Sequence, residues 1–163
     1  MIGCVFFQGN NTVNLDAKGR LAVPVKHRER LAESSASRVV VTINPRARCL
    51  WLFAENDWDT MALALGRMTS LDRTKRALQQ LLLGNATDAE LDSQGRILLS
   101  AELRAYAGLQ KRVTLVGLGS KCELWDADAW TTNLDDLVAQ ANTADSQLSA
   151  RLDEMDGMDD MPL

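Results

Sequence analysis

The sequence predicts an α+β fold assembled from two copies of one small β-rich unit. Three observations carry this expectation. The run Leu15-Asp16-Ala17-Lys18-Gly19-Arg20-Leu21-Ala22-Val23 returns as Leu91-Asp92-Ser93-Gln94-Gly95-Arg96-Ile97-Leu98-Leu99, with Leu, Asp, Gly and Arg coincident at an offset of 76. Arg28 matches Arg104 at the same offset, Cys49-Leu50-Trp51 resembles Glu123-Leu124-Trp125 at 74, and Trp58 resembles Trp130 at 72. The order is kept while the offset shrinks, as short loop deletions in a duplicated unit would produce.

The elements of the first copy follow from local chemistry. Thr12 to Leu15 reads as a short strand and Asp16 to Gly19 as a tight turn, Gly19 supplying a backbone conformation that a Cβ resists. Arg20 to Val23 is the returning strand, ended by Pro24, which cannot donate to a ladder. Lys26 to Glu33 reads as a short basic helix. Arg38 to Ile43 is β-branched and strand-like, Asn44 to Arg48 is a turn, and Cys49 to Phe53 is the next strand. The second copy repeats the series: a strand to Leu91, a turn over 92–95, strand 96–99, a helix near 101–107 stopped by Gly108, and strands 112–118 and 122–125.

Each copy ends in helix. Asn56 is placed to cap a helix presenting Trp58, Met61, Ala62, Leu65 and Met68 at helical spacing. Ser70 is placed to cap a second, Leu71 to Leu83, stopped by Gly84. Asp126 is placed to cap a third, with Trp130, Leu134, Leu137, Val138 and Ala141 on one face. The organisation expected is a first β unit over 7–54, a helical linker over 55–86, a second unit over 87–126, a helix over 127–149, and a disordered acidic tail over 150–163.

Composition narrows the class. Of 163 residues, 46% are hydrophobic and 25% charged, ordinary values for a globular protein. No apolar run approaches the roughly 20 residues that span a bilayer, and the start Met1 to Phe7 does not read as a signal peptide. A cytoplasmic location without membrane partners is expected. Cys4, Cys49 and Cys122 are odd in number and far apart, which argues against a disulfide framework. With one histidine, His27, and no C-x-x-C pair, no metal or other cofactor is expected. The net charge of −4 conceals an asymmetry: residues 1–83 carry 12 Lys and Arg against 7 Asp and Glu, while 84–163 carry 6 against 15. A local basic patch can thus coexist with an acidic pI.

The candidate chemistry lies at the repeated turn. Lys18 and Arg20 sit there, with Lys26, His27, Arg28 and Arg30 shortly beyond. Arginine can read guanine O6 and N7, lysine can neutralise phosphate, and a two-stranded ribbon fits a major groove. Against this stands a plainer role, in which Asp16 with Arg20, and Asp92 with Arg96, lock their turns by ion pairing. Exposed pairs add only about 0–1 kcal/mol, and the residues alone leave both roles open. Arg28 and Arg104 are equally open between helix surface, interface and function. An enzyme is disfavoured. Asp16 and Asp92 could form a carboxylate dyad, but the arginine beside each works against a shared proton. There is no Ser-His-Asp set and no phosphate-binding glycine loop.

The run Val13 to Pro24, the segment Leu81-Leu82-Leu83-Gly84-Asn85-Ala86, Asp92 to Leu98, Val116-Gly117 and Glu123-Leu124-Trp125-Asp126 together resemble MraZ proteins. The resemblance covers roughly Phe7 to Gln147, and two D-x-x-G-R motifs flanking an L-L-L-G segment make it specific. It implies a double AbrB/SpoVT-like fold, a swapped-hairpin β-barrel with attached helices. It also implies closed rings of identical subunits on the nucleoid. These would bind tandem double-stranded DNA repeats in the promoter of a cell-division and cell-wall gene cluster, typically as a repressor.

Carried over, Arg20 and Arg96 become the primary DNA contacts, Lys18 a phosphate contact, and Asp16 and Asp92 their orienting carboxylates. Lys26 and Arg28 belong to the same DNA-facing set, and no small-molecule ligand is expected. The second copy departs from the pattern: Ser100-Ala101 stands where relatives often carry proline, implying a looser entry into the helix. Glu102 and Tyr106 replace Lys26 and Arg30, implying that the first copy makes more phosphate contact. Two alternatives remain: an oligomeric protein-interaction scaffold and an antitoxin-like regulator.

Overall fold

Strand pairing crosses between the two repeats. The computed structural model describes residues 6–69 and 71–156. The first repeat supplies β1 (Asn10–Asn14), β2 (Arg20–Ala22), α1 (Val25–Ser35), β3 (Arg38–Ile43) and β4 (Leu50–Ala54). The second supplies β5 (Thr87–Glu90), β6 (Arg96–Leu98), α4 (Ala101–Ala107), β7 (Arg112–Gly117) and β8 (Lys121–Asp126). One antiparallel sheet runs in the order β1-β7-β8-β4-β3-β5, and β2 pairs separately with β6. The first strand of each repeat is therefore bonded to the third strand of the other.

This corrects the expected local hairpin. Between Leu15 and Leu21 only an isolated bridge survives, while β1 lies along β7 from Asn10–Val116 to Asn14–Arg112. The alternation of apolar residues fixes which face of a strand is buried but does not name its neighbour. Exchange satisfies that pattern while building one core from two units too small to be stable alone.

The registers preserve the duplication. Leu21 pairs with Ile97, its own repeat equivalent, with Arg20–Leu98 and Ala22–Arg96 on either side. Leu50 likewise pairs with its equivalent Leu124. A pseudo-two-fold relation centred on these two pairs maps each repeat onto the other. Leu21, Ile97, Leu50, Leu124, Leu31, Leu103, Val39 and Val113 share the main core.

The helices depart from expectation in detail. α2 (Glu55–Gly66) starts after Ala54, which offers no side-chain cap; Asn56 instead donates from Nδ2 to the Ser34 carbonyl. α3 (Arg73–Leu78) is capped by Asp72, whose carboxylate accepts from the N–H groups of Thr74 and Lys75. The expected cap Ser70 lies outside the described residues. The helix then widens into a π segment, Gln79–Leu83. Trp58, Phe53 and Val40 form a second cluster, with Met61 and Leu83 against it. Ser100 corrects the looser-entry expectation, because its hydroxyl accepts from Leu103 N–H at 3.2 Å and caps α4.

Among the described residues, 128–156 form a compact unit of their own. The single helix expected over 127–149 is two helices, α5 (Ala127–Ala141) and α6 (Gln147–Asp156). The expected disorder from 150 is overturned as far as Asp156, and the remainder lies outside the described residues. Among the described residues no helix is long and apolar enough to cross a membrane.

Candidate nucleic-acid interface

The two D-x-x-G-R turns are built alike. Gly19 N–H donates to the Asp16 carbonyl and Gly95 N–H to that of Asp92, each at 3.0 Å. Each aspartate then holds its turn from inside. Asp16 Oδ1 accepts from Lys18 N–H and Arg20 N–H, both at 2.9 Å; Asp92 Oδ1 accepts from Gln94 N–H at 2.8 Å and Arg96 N–H at 2.9 Å. The chain leaves each turn through a left-handed glycine, φ +85° at Gly19 and +74° at Gly95, a conformation that a Cβ disfavours.

The second carboxylate oxygen of each aspartate orients an arginine. Arg20 Nε donates to Asp16 Oδ2 at 2.8 Å, and Arg96 Nε to Asp92 Oδ2 at 3.1 Å. Arg96 Nη1 also stands 4.0 Å from Asp16 Oδ2, linking the repeats. The Arg20 backbone N–H does most to hold the Asp16 carboxyl below its usual range; partial burial opposes this, and the Arg20 side chain and Lys18 N–H assist. Asp92 is lowered likewise, first by Arg96 N–H. Lowered carboxyls, each paired with its own arginine, favour the ionised form, which works against a shared proton.

Directly paired residues of an antiparallel ladder point to the same face, and alternate residues share it. Arg20, Ala22, Arg96 and Leu98 therefore occupy one side of the β2–β6 ribbon, and Leu21 and Ile97 the other. The second side is the core, with Leu21 and Ile97 at 0% and 1% exposure. On the outer side the Arg20 and Arg96 side chains are 34% and 28% exposed and Leu98 is 62% exposed. Lys18 is exposed at one turn tip and Gln94 at the other. The face thus carries two oriented guanidiniums whose terminal nitrogens make no hydrogen bond among the described residues.

Of the remaining predicted residues, Arg28 and Arg104 reach the turns, while Lys26, His27 and Arg30 meet the segment ahead of β1. Arg28 of α1 crosses to the opposite repeat, where Nη1 donates to the Gln94 carbonyl at 3.4 Å. Arg104 of α4 mirrors it from the other side: its Nε donates to the Leu99 carbonyl at 3.2 Å and its side chain lies against Gly19. Lys26 Nζ donates to the Gln8 carbonyl at 3.3 Å, and Arg30 to that of Phe6. Both therefore tie down the segment ahead of β1. His27 is buried on Phe7, ring centroids 5.2 Å apart and edge to face. Burial chiefly lowers its pKa, helped by Lys26 and Arg30. Burial likewise pushes Cys49 and Cys122 up to about 12.

The outward positions Ala22 and Leu98 escape sequence reasoning, since a short apolar strand does not reveal which alternate residues face out. The crossing of Arg28 and Arg104 leaves a fainter trace, the shared offset of arginine and glycine.

Comparison with known proteins finds the same duplication. The description of the MraZ protein family, which adds an antitoxin likeness, matches twice, over residues 6–81 and 82–153. The chain belongs to the MraZ family. A MraZ relative from Thioalkalivibrio sulfidiphilus is 48% identical over 130 residues, 80% of this chain and 86% of its own. One from Sodalis glossinidius is 43% identical over 96% of this chain and 99% of its own. A third, from Nitrosomonas europaea, is 46% identical over 79% and 86%. All three carry the name transcriptional regulator MraZ.

Proposed function

We propose that this chain is a transcriptional regulator that binds double-stranded DNA through the outer face of the β2–β6 ribbon. The observation that carries the reading is the pair Arg20 and Arg96. Both stand on one exposed face, each is aimed by its own aspartate, and each keeps terminal nitrogens for an acceptor. Guanine O6 and N7 are the acceptors that such a fork matches, and a two-stranded ribbon fits a major groove. Lys18, exposed at its turn tip, serves a phosphate. Asp16 and Asp92 orient, Arg28 and Arg104 brace the turns, and Lys26 holds the segment ahead of β1.

The crossed pairing we assign to an AbrB/SpoVT-like swapped-hairpin barrel. The chain works as a closed ring of identical subunits on tandem promoter repeats of a cell-division and cell-wall gene cluster, as a repressor associated with the nucleoid. One ribbon spans few base pairs. Successive ribbons on repeated sites then engage at high effective concentration, which raises avidity without new contacts.

Fluorescence anisotropy tests this with duplex from upstream of the chain's own gene against a scrambled duplex, at about 150 mM salt. There non-specific binding typically falls to roughly 10⁻⁴–10⁻⁶ M. Clear preference for the native duplex supports the reading; equal weak binding overturns it.

A further inference from the structure

We infer that Leu98 is a specificity-determining residue that meets the C5-methyl of a thymine, and that this makes the ribbon read its DNA element asymmetrically. The inference rests on the DNA-binding reading above. Leu98 lies directly opposite Arg20 in the ribbon and shares its outer face. It is 62% exposed although it belongs to the same short strand as the fully buried Ile97. Its repeat equivalent, opposite Arg96, is Ala22. The two arginines, each oriented by its own aspartate, thus have different companions: a leucine beside one and a methyl group beside the other.

The surroundings select the occupant. Leu98 is flanked by the guanidinium of Arg20 across the ladder and that of Arg96 two residues earlier on its own strand. A protein surface laid over this face would have to desolvate both cations. The major-groove edge supplies what the face lacks, guanine acceptors for the arginines and an apolar thymine methyl for the leucine. Apolar side chains reach that methyl as a recognised mode of base reading. Alanine at 22 presents a single methyl where leucine presents an isobutyl group, so from the same ladder position it reaches less far and covers less of an equivalent thymine methyl.

The test uses the native upstream duplex with thymines replaced one at a time by deoxyuridine, which removes the methyl alone. Wild-type protein is expected to bind roughly fourfold more weakly at one or two such positions, the value of about one buried methyl group. Those positions should fall on one side of the element's centre. Leu98→Ala should bind every uracil-substituted duplex as it binds the parent, and Ala22→Leu should gain sensitivity on the other side. Leu98 is exposed, so neither the fold nor the core depends on it. A Leu98→Ala protein that keeps the wild-type uracil profile overturns the inference and leaves DNA reading intact. So does a wild type insensitive to every replacement while still preferring the native duplex. A change in subunit number in Leu98→Ala, read by light scattering, assigns the residue to a subunit contact and also overturns it. Equal binding of native and scrambled duplexes overturns the DNA reading itself.

Discussion

Arg28 of α1 lies against Gly95 in the turn of the opposite repeat, so close that a Cβ on Gly95 would stand 2.2 Å from Arg28 Cδ. Arg104 lies against Gly19 in the mirrored position, where a Cβ would meet Arg104 Nε at 2.8 Å and the Leu99 carbonyl oxygen at 2.9 Å. Each turn that carries an outward arginine is thus braced by a helix of the other repeat.

Gly95→Ala is expected to lower stability by about 1–3 kcal/mol, the usual range for a side chain forced into the left-handed region. Its obstruction is a flexible arginine, so Gly95→Ala and Arg28→Ala together should be less destabilising than their sum. Gly19→Ala meets main chain as well, so Arg104→Ala should relieve it less. Urea denaturation of the four single and two double variants measures both cycles.

Leu21 and Ile97 face each other at the centre of the pseudo-two-fold relation, both fully buried. Truncating either to alanine should remove about 2–5 kcal/mol. The two losses should be similar and coupled, since the residues are equivalent and in contact. Thermal or urea unfolding reads this; independent, very unequal losses would contradict the symmetric core.

Much of this architecture was legible in the sequence, and its limits are physical. The repeat announced itself because Asp16, Gly19 and Arg20 do a local job that depends on residue type: the carboxylate receives two backbone N–H groups, and only glycine suits the turn's exit. Such local chemistry survives in Asp92, Gly95 and Arg96. Strand partnership did not announce itself, because Val13 or Leu21 specifies a buried face and not a neighbour. The helix starts differ from those expected because several polar residues compete nearby: α2 follows Ala54 without a side-chain cap, and Asp72 has the capping geometry at α3. Arg28 and Lys26, alike in charge, act differently through the segments they meet, the Gln94 turn and the Gln8 carbonyl, which only the exchange of strands brings within reach.

His27 gives the fold a pH response. It is buried, its ring nitrogens have no hydrogen-bond partner among the described residues, and its pKa is lowered from 6.5. Above that value it is neutral folded and unfolded, and the stability is full. Below it the unfolded chain binds a proton that the folded chain resists, so stability falls toward the folded pKa. Urea midpoints should decline as pH drops from about 7.5 to 5.5, in the range where an unperturbed histidine titrates. His27→Leu should flatten that decline.

Lys18 and Arg20 should separate by their salt dependence. Lys18→Ala is expected to weaken native and scrambled duplexes alike and to reduce the slope of log K against log salt by about one. Arg20→Ala should cost about 1–3 kcal/mol on the native duplex and narrow its advantage over the scrambled one. Anisotropy titrations at several salt concentrations distinguish the two.

The most direct test of the central claim, that the paired arginines of the ribbon read DNA, is a single comparison of wild type with the Arg20→Ala/Arg96→Ala double variant. Preference for the native upstream duplex and subunit number by light scattering are measured on the same samples. The account predicts an unchanged assembly that no longer prefers the native duplex. An assembly that dissociates, or a double variant that keeps its preference, would contradict it: the first assigns the motifs to subunit contact, and the second moves the reading surface away from the ribbon.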